Sequence, residues 1–536
     1  MPPLATRGDR FCFHLAETPM SFSALPPLPA NPDAEGWRDH AFFTNAIAVG
    51  GDDPAPCLIY ADWLEERGEC EAAELIRLQV EFEGLDRETP NRDAVEDRVG
   101  LLTARQAEVW QSRLNPTASC VEVKRFVRGL PRAARIRADR IDAATLEWLT
   151  ALAPIDALEL VHLDEAAAER LATRPTLTRV RDLTVVDSQR DRDSWALGRL
   201  LSSPHLTNLH GLSCSFGRLW PSLGLSLSNL PRLKRLILSA DPAGGAGPVG
   251  DTGLIRLIEE GHLKQIEHLA IRHEQIGPRG ARSLATSPTV AKLKYLDLSH
   301  NRLNNQGLQE LGGSRYLGDL VELVVRDNDI GDDGVSHLAN SSRLGRLERI
   351  DLSINLVGDI GLRDLAHSQV LGQLRVVDLR RNGITAAIRP MFRRRPEGNA
   401  WRDLELGSNQ IGPIGAETLA DWPLTASLER IGLDHNPLGR QARDAIPGGS
   451  EVGLEAVLSV LARLILGGRT ANLDELDLRH CGFDDNEAAA LIDDQARRIA
   501  LGEPSPHARR IRLEGNPFSD STRARLRDLF GPGLRV

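Results

Sequence analysis

Hydrophobic positions return on a fixed beat through the middle of this chain. From Ile266 to Leu438 the order is Leu-x-x-Leu-x-Leu-x-x-Asn-x-Leu, with Ile, Val or Trp also taking the apolar places. Leu293, Leu296, Leu298, Asn301 and Leu303 make one copy, and Leu320, Leu323, Val325, Asn328 and Ile330 make the next. Asn301, Asn328, Asn355, Asn382, Asn409 and Asn436 stand 27 residues apart, and seven in-frame copies share that spacing. Self-similarity at one period marks a repeat protein. Each unit is a supersecondary element that buries its apolar face only against its neighbours.

Within each copy the apolar period is two, as in Leu296-x-Leu298, which predicts a short strand. After the asparagine the period changes. Gly307, Gly334 and Gly361 are again 27 apart, and the pairs Leu308/Leu311, Val335/Leu338 and Leu362/Leu365 follow them on one face of a predicted helix. Each unit is therefore strand, turn, helix. Stacked units put parallel strands about 4.8 Å apart on the inside and helices outside. The asparagine amide is expected to bond free backbone groups of the turn on which neighbouring units stack.

This spelling resembles the leucine-rich repeat family, in its ribonuclease-inhibitor-like strand–helix subclass; the repeat length and the Gly-x-x-x-Leu helix carry the subclass. The fold expected is α/β: a right-handed leucine-rich-repeat solenoid, a horseshoe of about a dozen repeats with a parallel inner sheet and outer helices, preceded by a small all-α domain.

Toward the ends the spelling degrades. Ile155/Leu158/Leu160, Val180/Leu183/Val185, Leu209/Leu212/Cys214 and Leu233/Leu236/Leu238 keep the rhythm without the asparagine, as repeats near an array end commonly do. Beyond Leu438 the spacing stretches. The strands Leu473/Leu476/Leu478 and Ile511/Leu513 follow, the latter with Asn516, and the added piece holds an apolar helix-like run from Val452 to Leu466. Ser521 to Phe530 reads as a closing helix ended by Gly531-Pro532-Gly533.

The division expected is a disordered lead over 1–35, a helical domain over 36–83, a linking helix over 84–115 centred on Val95 to Arg113, and the solenoid with its C-terminal cap over 116–536. Nothing before Met20 reads as structural, which makes Met20 a second candidate start. In the helical domain, Leu58, Ala61, Trp63 and Leu64 and then Leu75, Ile76 and Leu78 read as the apolar faces of two helices, with Gly68 stopping the first. The stretch from Pro56 to Gly68, with Ala72 to Gln79, resembles a short bacterial repeat-companion domain found N-terminal to leucine-rich or WD repeats in planctomycetes. That resemblance implies partnership with repeats and no catalysis.

Composition narrows the function. The chain has 536 residues, 41% of them hydrophobic, and a formal net charge of −10. An acidic balance argues against a nucleic-acid partner. Six scattered cysteines form no C-x-x-C pair, so neither a zinc site nor a disulfide framework is expected. No apolar run is long enough to span a membrane and no secretory signal stands out, so a cytoplasmic protein without a membrane partner is expected.

Five stretches hold candidate chemistry. Gly245 to Gly250 spells G-x-G-x-x-G, but Pro248 removes a donor and the units that follow are repeats, so no nucleotide cofactor is expected. The residues alternating with the core leucines form rows on the inner face. One row runs Asp297, Val324, Asp351, Asp378, Glu405, and its neighbour holds Arg272, Arg326 and Arg380. These carboxylates and guanidiniums could pair across strands, and an open concave face is expected to be too wet to shift their pKa values. His273 with His300, and His435 with His480, occupy equivalent slots where a metal pair is conceivable, though two ligands are no site. Arg393 to Arg395 falls in an irregular unit where Ile388 replaces the expected glycine. Asp62, Trp63, Glu65 and Glu66 read as a core anchor among solvent-facing acids.

The function expected is non-catalytic: an interaction scaffold holding a protein partner on the concave face through Arg272, Asp297, Arg326, Asp351, Asp378, Arg380 and Glu405. The alternative, by analogy of fold alone, is a regulator of a nucleotide-hydrolysing partner, because some strand–helix leucine-rich repeat proteins act as GTPase activators.

Overall fold

The computed structural model describes residues 38–49, 53–85, 92–114, 120–186, 194–215, 227–239, 250–385, 400–439, 461, 464–466, 473–501 and 510–536. The expected lead over 1–35, Gly245 to Val249, Ile388, Arg393 to Arg395 and most of Val452 to Leu466 lie outside them. The chain divides into two compact units. One takes residues up to Arg135 and from Ile141 to Asp156, the other Ile136–Arg140 and Ala157–Val536. Among the described residues no helix is long and apolar enough to cross a membrane.

The first unit holds α1 (Arg38–Val49), α2 (Ala55–Glu66), α3 (Cys70–Glu83), α4 (Arg92–Leu114), the strand β1 (Val121–Val127), most of β2 (Leu130–Arg137), and α5 (Ala143–Leu152). Gly68, at φ 81°, ends α2, and the Gly68 and Glu69 amides return to the carbonyls of Glu65 and Leu64. The buried stripe of α2 is Cys57, Tyr60, Ala61 and Leu64. That corrects the expectation for Leu58, which is 37% exposed; the helical period selects Tyr60 in its place. Trp63 is half-buried, not a sealed anchor. Its ring stacks on Tyr60 at 5.6 Å and carries the Arg67 guanidinium 4.1 Å above it. The nearby acids are engaged as well: Arg77 on α3 reaches Asp62 at 2.7 Å and Glu65 at 2.6 Å.

At the centre of this unit His40 bonds the Leu152 carbonyl through Nε2 at 2.7 Å, and the Tyr60 hydroxyl lies 2.7 Å from Nδ1. A carbonyl only accepts, so Nε2 carries a proton, and a neutral ring then accepts from Tyr60 at Nδ1. Tyr60→Phe removes one buried bond between α1 and α2 and is expected to lower stability by about 1–2 kcal/mol. Urea unfolding measures this; a loss below about 0.3 kcal/mol would show the bond to be replaceable. The hairpin β1–β2 is not singled out by sequence periodicity. Its tip is Arg128–Gly129, both with positive φ, as a two-residue type I′ turn requires. Gly129 admits no side chain because a Cβ there would overlap Ile76 on α3.

The second unit is a parallel sheet in strict chain order: β3 (Ala157–Val161), β4 (Asp182–Val186), β5 (Gly211–Ser215), β6 (Arg235–Ser239), β7 (His268–Arg272), β8 (Tyr295–Asp297), β9 (Glu322–Val324), β10 (Arg349–Asp351), β11 (Val376–Asp378), β12 (Asp403–Glu405), β13 (Arg430–Gly432), β14 (Glu475–Asp477), β15 (Arg510–Arg512) and β16 (Leu534–Arg535). Helices return the chain between strands, among them Pro278–Thr286, Asn304–Gly312, Asp332–Ala339 and Asp359–Ala366. Leu296, Leu298, Leu323, Val325, Leu308, Leu311, Val335 and Leu338 are fully buried between the two layers. This is the α/β leucine-rich-repeat solenoid expected from the period, following an N-terminal helical region.

Three side-chain ladders hold the register. The first is the asparagine ladder. Asn355 Oδ1 accepts the Asn328 and Ile330 amides at 3.0 Å each, and its Nδ2 donates to the carbonyls of Val325, Leu352 and Ser353 at 2.9–3.2 Å. Where the spelling lapses, Glu274 fills the slot at 1% exposure, and Cys481 fills it with Sγ donating to the Leu433 carbonyl at 3.2 Å. The residue just before the slot is left-handed in each of these units, as at His273, His300, Asp327, Ile354, Arg381, Ser408, His435 and His480. The second ladder caps helices. Asp332, in the first turn of its own helix, accepts the Gly358 and Gly361 amides of the next at 2.7 and 2.9 Å, and Asp251 does the same for Gly277 and Gly280. A Cβ at Gly361 would lie 2.8 Å from that Asp332 oxygen, so the repeated glycine makes room for the cap. In the third, Ser314 and Ser368 donate to the preceding unit's Ala285 and Ala339 carbonyls at 2.8 and 2.5 Å.

Candidate functional site

Register places the expected row on adjacent strands. Asp297 pairs Val324, Val324 pairs Asp351, Asp351 pairs Asp378, and Asp378 pairs Glu405. Beyond Glu405 the row continues through Gly432, Asp477 and Arg512. Because side chains alternate across a strand, these residues share the face opposite the buried leucines.

The face is not uniformly wet, which corrects the sequence-based expectation. Asp297 is 2% exposed and Asp378 8%. The cause lies in the backbone. Asp297, Asp351, Asp378 and Asp477 each fold back so that one carboxylate oxygen accepts the amide two residues on, at Ser299, Ser353, Arg380 and Arg479, at 2.8–3.1 Å. A short side chain in this Asx geometry lies along the strand and does not stand into solvent.

The arginines divide. Arg272 crosses to the next strand and meets Asp297 at 2.6 Å. Arg380 stays on its own strand and holds Asp378 at 2.5 Å. Arg326 pairs with no carboxylate among the described residues and instead donates to Ser353 Oγ at 3.1 Å. Around Arg272 and Asp297 the face is also aromatic. His268 and Tyr295 stack at 3.8 Å, and the Tyr295 hydroxyl donates to Asp297 at 3.3 Å. Burial first, and then the Asp297 charge, push the Tyr295 phenol up to about 12.

Glu405 departs from the pattern. One methylene longer, it accepts no amide from its own strand; it leans over Gly432, where a Cβ would overlap its Oε2. Among the described residues it makes no ion pair. Burial is the largest cause raising its carboxyl to about 7. Arg380 opposes this, while the charges of Asp378, Asp434 and Asp477 add to it. Asp351 is also raised, by burial first and the Asp378 charge after it.

Sequence reasoning stopped short of several residues on this face. Asp434 belongs to the row of Arg326 and Arg380, and its carboxylate lies over Gly407, where a Cβ would overlap it. Continuing the 27-residue count from Arg380 finds it. Asp403 is paired with Arg430 on the neighbouring strand, and Arg479 holds Asp477 at 2.6 Å. These last two follow the stretched unit or precede the core leucine, where the count gives no cue.

The histidine slots come together, but not as a metal pair. His273 and His300 stack at 4.2 Å with planes 9° apart, and His435 and His480 stack at 4.5 Å. Face-to-face rings aim their nitrogen lone pairs side by side, so the two do not converge on one ion. His300 Nδ1 lies 2.7 Å from Asp327 and His435 Nδ1 2.9 Å from Asp434. Among the described residues no group of three His, Cys, Asp or Glu side chains is placed to hold a metal. A cavity of about 890 Å³ opens on the helical side beside Arg282, Glu310, Tyr316, His337 and Arg343. Arg282 is engaged there with Glu310 at 2.6 Å.

Of the comparisons with known proteins, the family profile agrees with the repeat reading. The protein-family profile described as Leucine Rich repeat matches residues 291–312, 319–339 and 402–420. No curated protein matches the chain. Among solved structures, an internalin (inlF) from Listeria monocytogenes str. 4b F2365 is similar at 15% identity with a TM-score of 0.35, over 78% of this chain and 86% of that one. The mouse RP105/MD-1 complex is similar at 17% identity with a TM-score of 0.30, over 54% and 52%. With period, asparagine ladder, parallel sheet and profile in agreement, this chain is one that carries leucine-rich repeats on an α/β solenoid.

Proposed function

We propose that the protein is a non-catalytic interaction scaffold whose open sheet face, from β7 to β14, holds a protein partner. Leucine-rich repeats generally serve protein recognition. The observation that carries the reading here is preorganisation. The face is a strip of charged side chains whose positions are fixed before any partner arrives, by Asx bonds to the backbone and by the ion pairs Arg272–Asp297, Arg380–Asp378 and Arg479–Asp477. Side chains already held in place lose little entropy on binding. The aspartates of the row are tied to backbone or guanidinium groups, Glu405 alone standing apart, and no activated nucleophile–base pair is part of the row. In this reading the N-terminal helical unit is the repeat-companion domain, and the protein works in the cytoplasm.

The row carboxylates supply the test. Charge reversal at the buried Asp378 would disturb the fold, so isosteric neutral changes are the sound choice. Full-length protein and an Asp351→Asn, Asp378→Asn, Glu405→Gln variant are used to capture proteins from source-cell lysate. The expected result is a protein retained by the parent and reduced at least about tenfold by the variant, with melting temperatures within about 5 °C of each other. Equal retention of every captured protein would place recognition elsewhere.

A further inference from the structure

We infer that the cavity on the helical side of the solenoid binds a phosphate group, free or carried by a small polar molecule, between Arg315 and Arg343. The scaffold reading above does not depend on it.

Shape comes first. At the helix ends one slot recurs every 27 residues, filled by Thr286, Gly313, Asn340 and His367. In this run Gly313 alone has no side chain. A Cβ there would touch nothing but the Gln309 and Glu310 carbonyls of its own helix, at 3.5 and 3.7 Å, so the space above it stays open. The floor is closed, because a Cβ at Gly312 would already meet Leu338 at 3.4 Å and Ser341 at 3.7 Å. The result is a cavity of about 890 Å³, within the ~300–1,000 Å³ that small-molecule sites occupy. Such sites are lined mainly by apolar groups. Here the walls include the amides of Gln309 and Asn340 and the Ser342 hydroxyl, so a ligand held among them is polar.

Charge then decides its class. The guanidiniums of Arg282, Arg315 and Arg343 line the cavity against the carboxylate of Glu310. Glu310 is taken by Arg282 at 2.6 Å. Arg315 and Arg343 are exposed, and among the described residues their side chains have neither an ion pair nor a hydrogen bond. Other arginines on the helical side are engaged: Arg346 reaches Asp319 and Arg363 reaches Asp364, both at 2.7 Å. The helix dipole favours a cation beyond a C-terminus, but three carbonyls at these helix ends are bonded already. Ser314 donates to Ala285 at 2.8 Å, Ser341 to Gly312, and the Asn340 amide to Ser336 at 2.8 Å. The cavity therefore keeps donors and positive charge to spare, in a chain whose net charge is −10. What fits is an acceptor-rich anion. A guanidinium offers its donors in a planar fork that matches phosphate oxygens two at a time, and the amides and hydroxyls of the wall suit hydroxyl groups on the rest of a ligand.

The probes are glucose 6-phosphate, inorganic phosphate and glucose, titrated calorimetrically into the full chain at constant ionic strength. Three variants stand beside the parent. Arg315→Gln, Arg343→Gln removes the spare charge without breaking an ion pair. Gly313→Asn fills the cavity with the side chain that Asn340 supplies in the next repeat, and the Gly313 φ of −78° suits any residue. Arg346→Gln removes a neighbouring arginine outside the lining. Thermal melts confirm that all are folded. The expected outcome is that the parent binds both phosphates and not glucose. The double arginine variant and Gly313→Asn each weaken binding at least about tenfold, and Arg346→Gln changes it less than about twofold.

Tighter binding of glucose 6-phosphate than of inorganic phosphate supports the inference with a phosphorylated polyol as the source, and equal binding supports it with the free anion. No binding of either phosphate up to about 10 mM overturns it, as does glucose bound as tightly as its phosphate. Binding that survives Gly313→Asn also overturns it, because the anion then lies outside the cavity. So does a loss on Arg346→Gln equal to that of the double variant, which would make the effect one of general surface charge.

Discussion

Asn355→Ala is expected to lower the unfolding free energy by about 3–5 kcal/mol. The residue is 7% exposed, and its amide serves five backbone groups in two repeats. Alanine leaves the Asn328 and Ile330 amides without their acceptor in a space closed to solvent. An orphaned buried donor costs about 1–3 kcal/mol, and the carbonyls that lose a donor add to this. A solenoid is a one-dimensional array, so damage at one interface weakens the coupling between the repeats on either side. The urea transition followed by circular dichroism is therefore expected to broaden as well as move to lower urea. Asn382 is an internal comparison. It makes the same kind of bonds, but its slot is only half-buried, so water replaces part of what its amide supplied and Asn382→Ala costs less. A loss below about 1 kcal/mol at Asn355 would mean that water enters that slot too, and that packing alone holds the register.

The second large effect is at Glu405 and changes with pH. Folding raises this carboxyl from its ordinary 4.5 to about 7. A group that holds its proton more tightly in the folded state contributes stability that is fully present below pH 4.5. That contribution is lost as pH rises through 7, because the folded chain must then carry a buried carboxylate, with Asp378, Asp434 and Asp477 nearby. Allowing for solvent screening, the loss is about 1–3 kcal/mol. Glutamine keeps the shape and does not titrate. Glu405→Gln is expected to match the parent at pH 4 and to exceed it by about 1–3 kcal/mol at pH 8, measured by urea unfolding at both values. If the difference between parent and variant is the same at both, the carboxylate is solvated and its neighbours do not press on it.

The sequence by itself determined the repeating architecture. A 27-residue period, a two-residue alternation and a glycine-led helix are properties of one dimension, so Asn301 to Asn436 and the Leu296-type positions could be placed by counting. Row membership followed from the same count, which is why Asp351, Asp378 and Glu405 fall on adjacent strands as expected, with Val324 between Asp351 and Asp297. What those side chains do was decided only in three dimensions. An aspartate reaches its own strand's next amide and is drawn down, while a glutamate one methylene longer is not, and it comes to rest over a neighbour that happens to be Gly432. The partner of each arginine followed the same rule: Arg272 crosses a strand, Arg380 does not, and Arg326 finds a serine. The histidine pairs stack because parallel strands repeat a ring at one height, a geometry that excludes the convergence a metal needs. In the N-terminal unit, the helical period puts Tyr60 and not Leu58 on the buried face of α2, and only the fold brings its hydroxyl to His40. Periodicity tells which residues share a face. Burial, pairing and charge state depend on the side chains standing on the strands to either side, which a linear pattern does not contain.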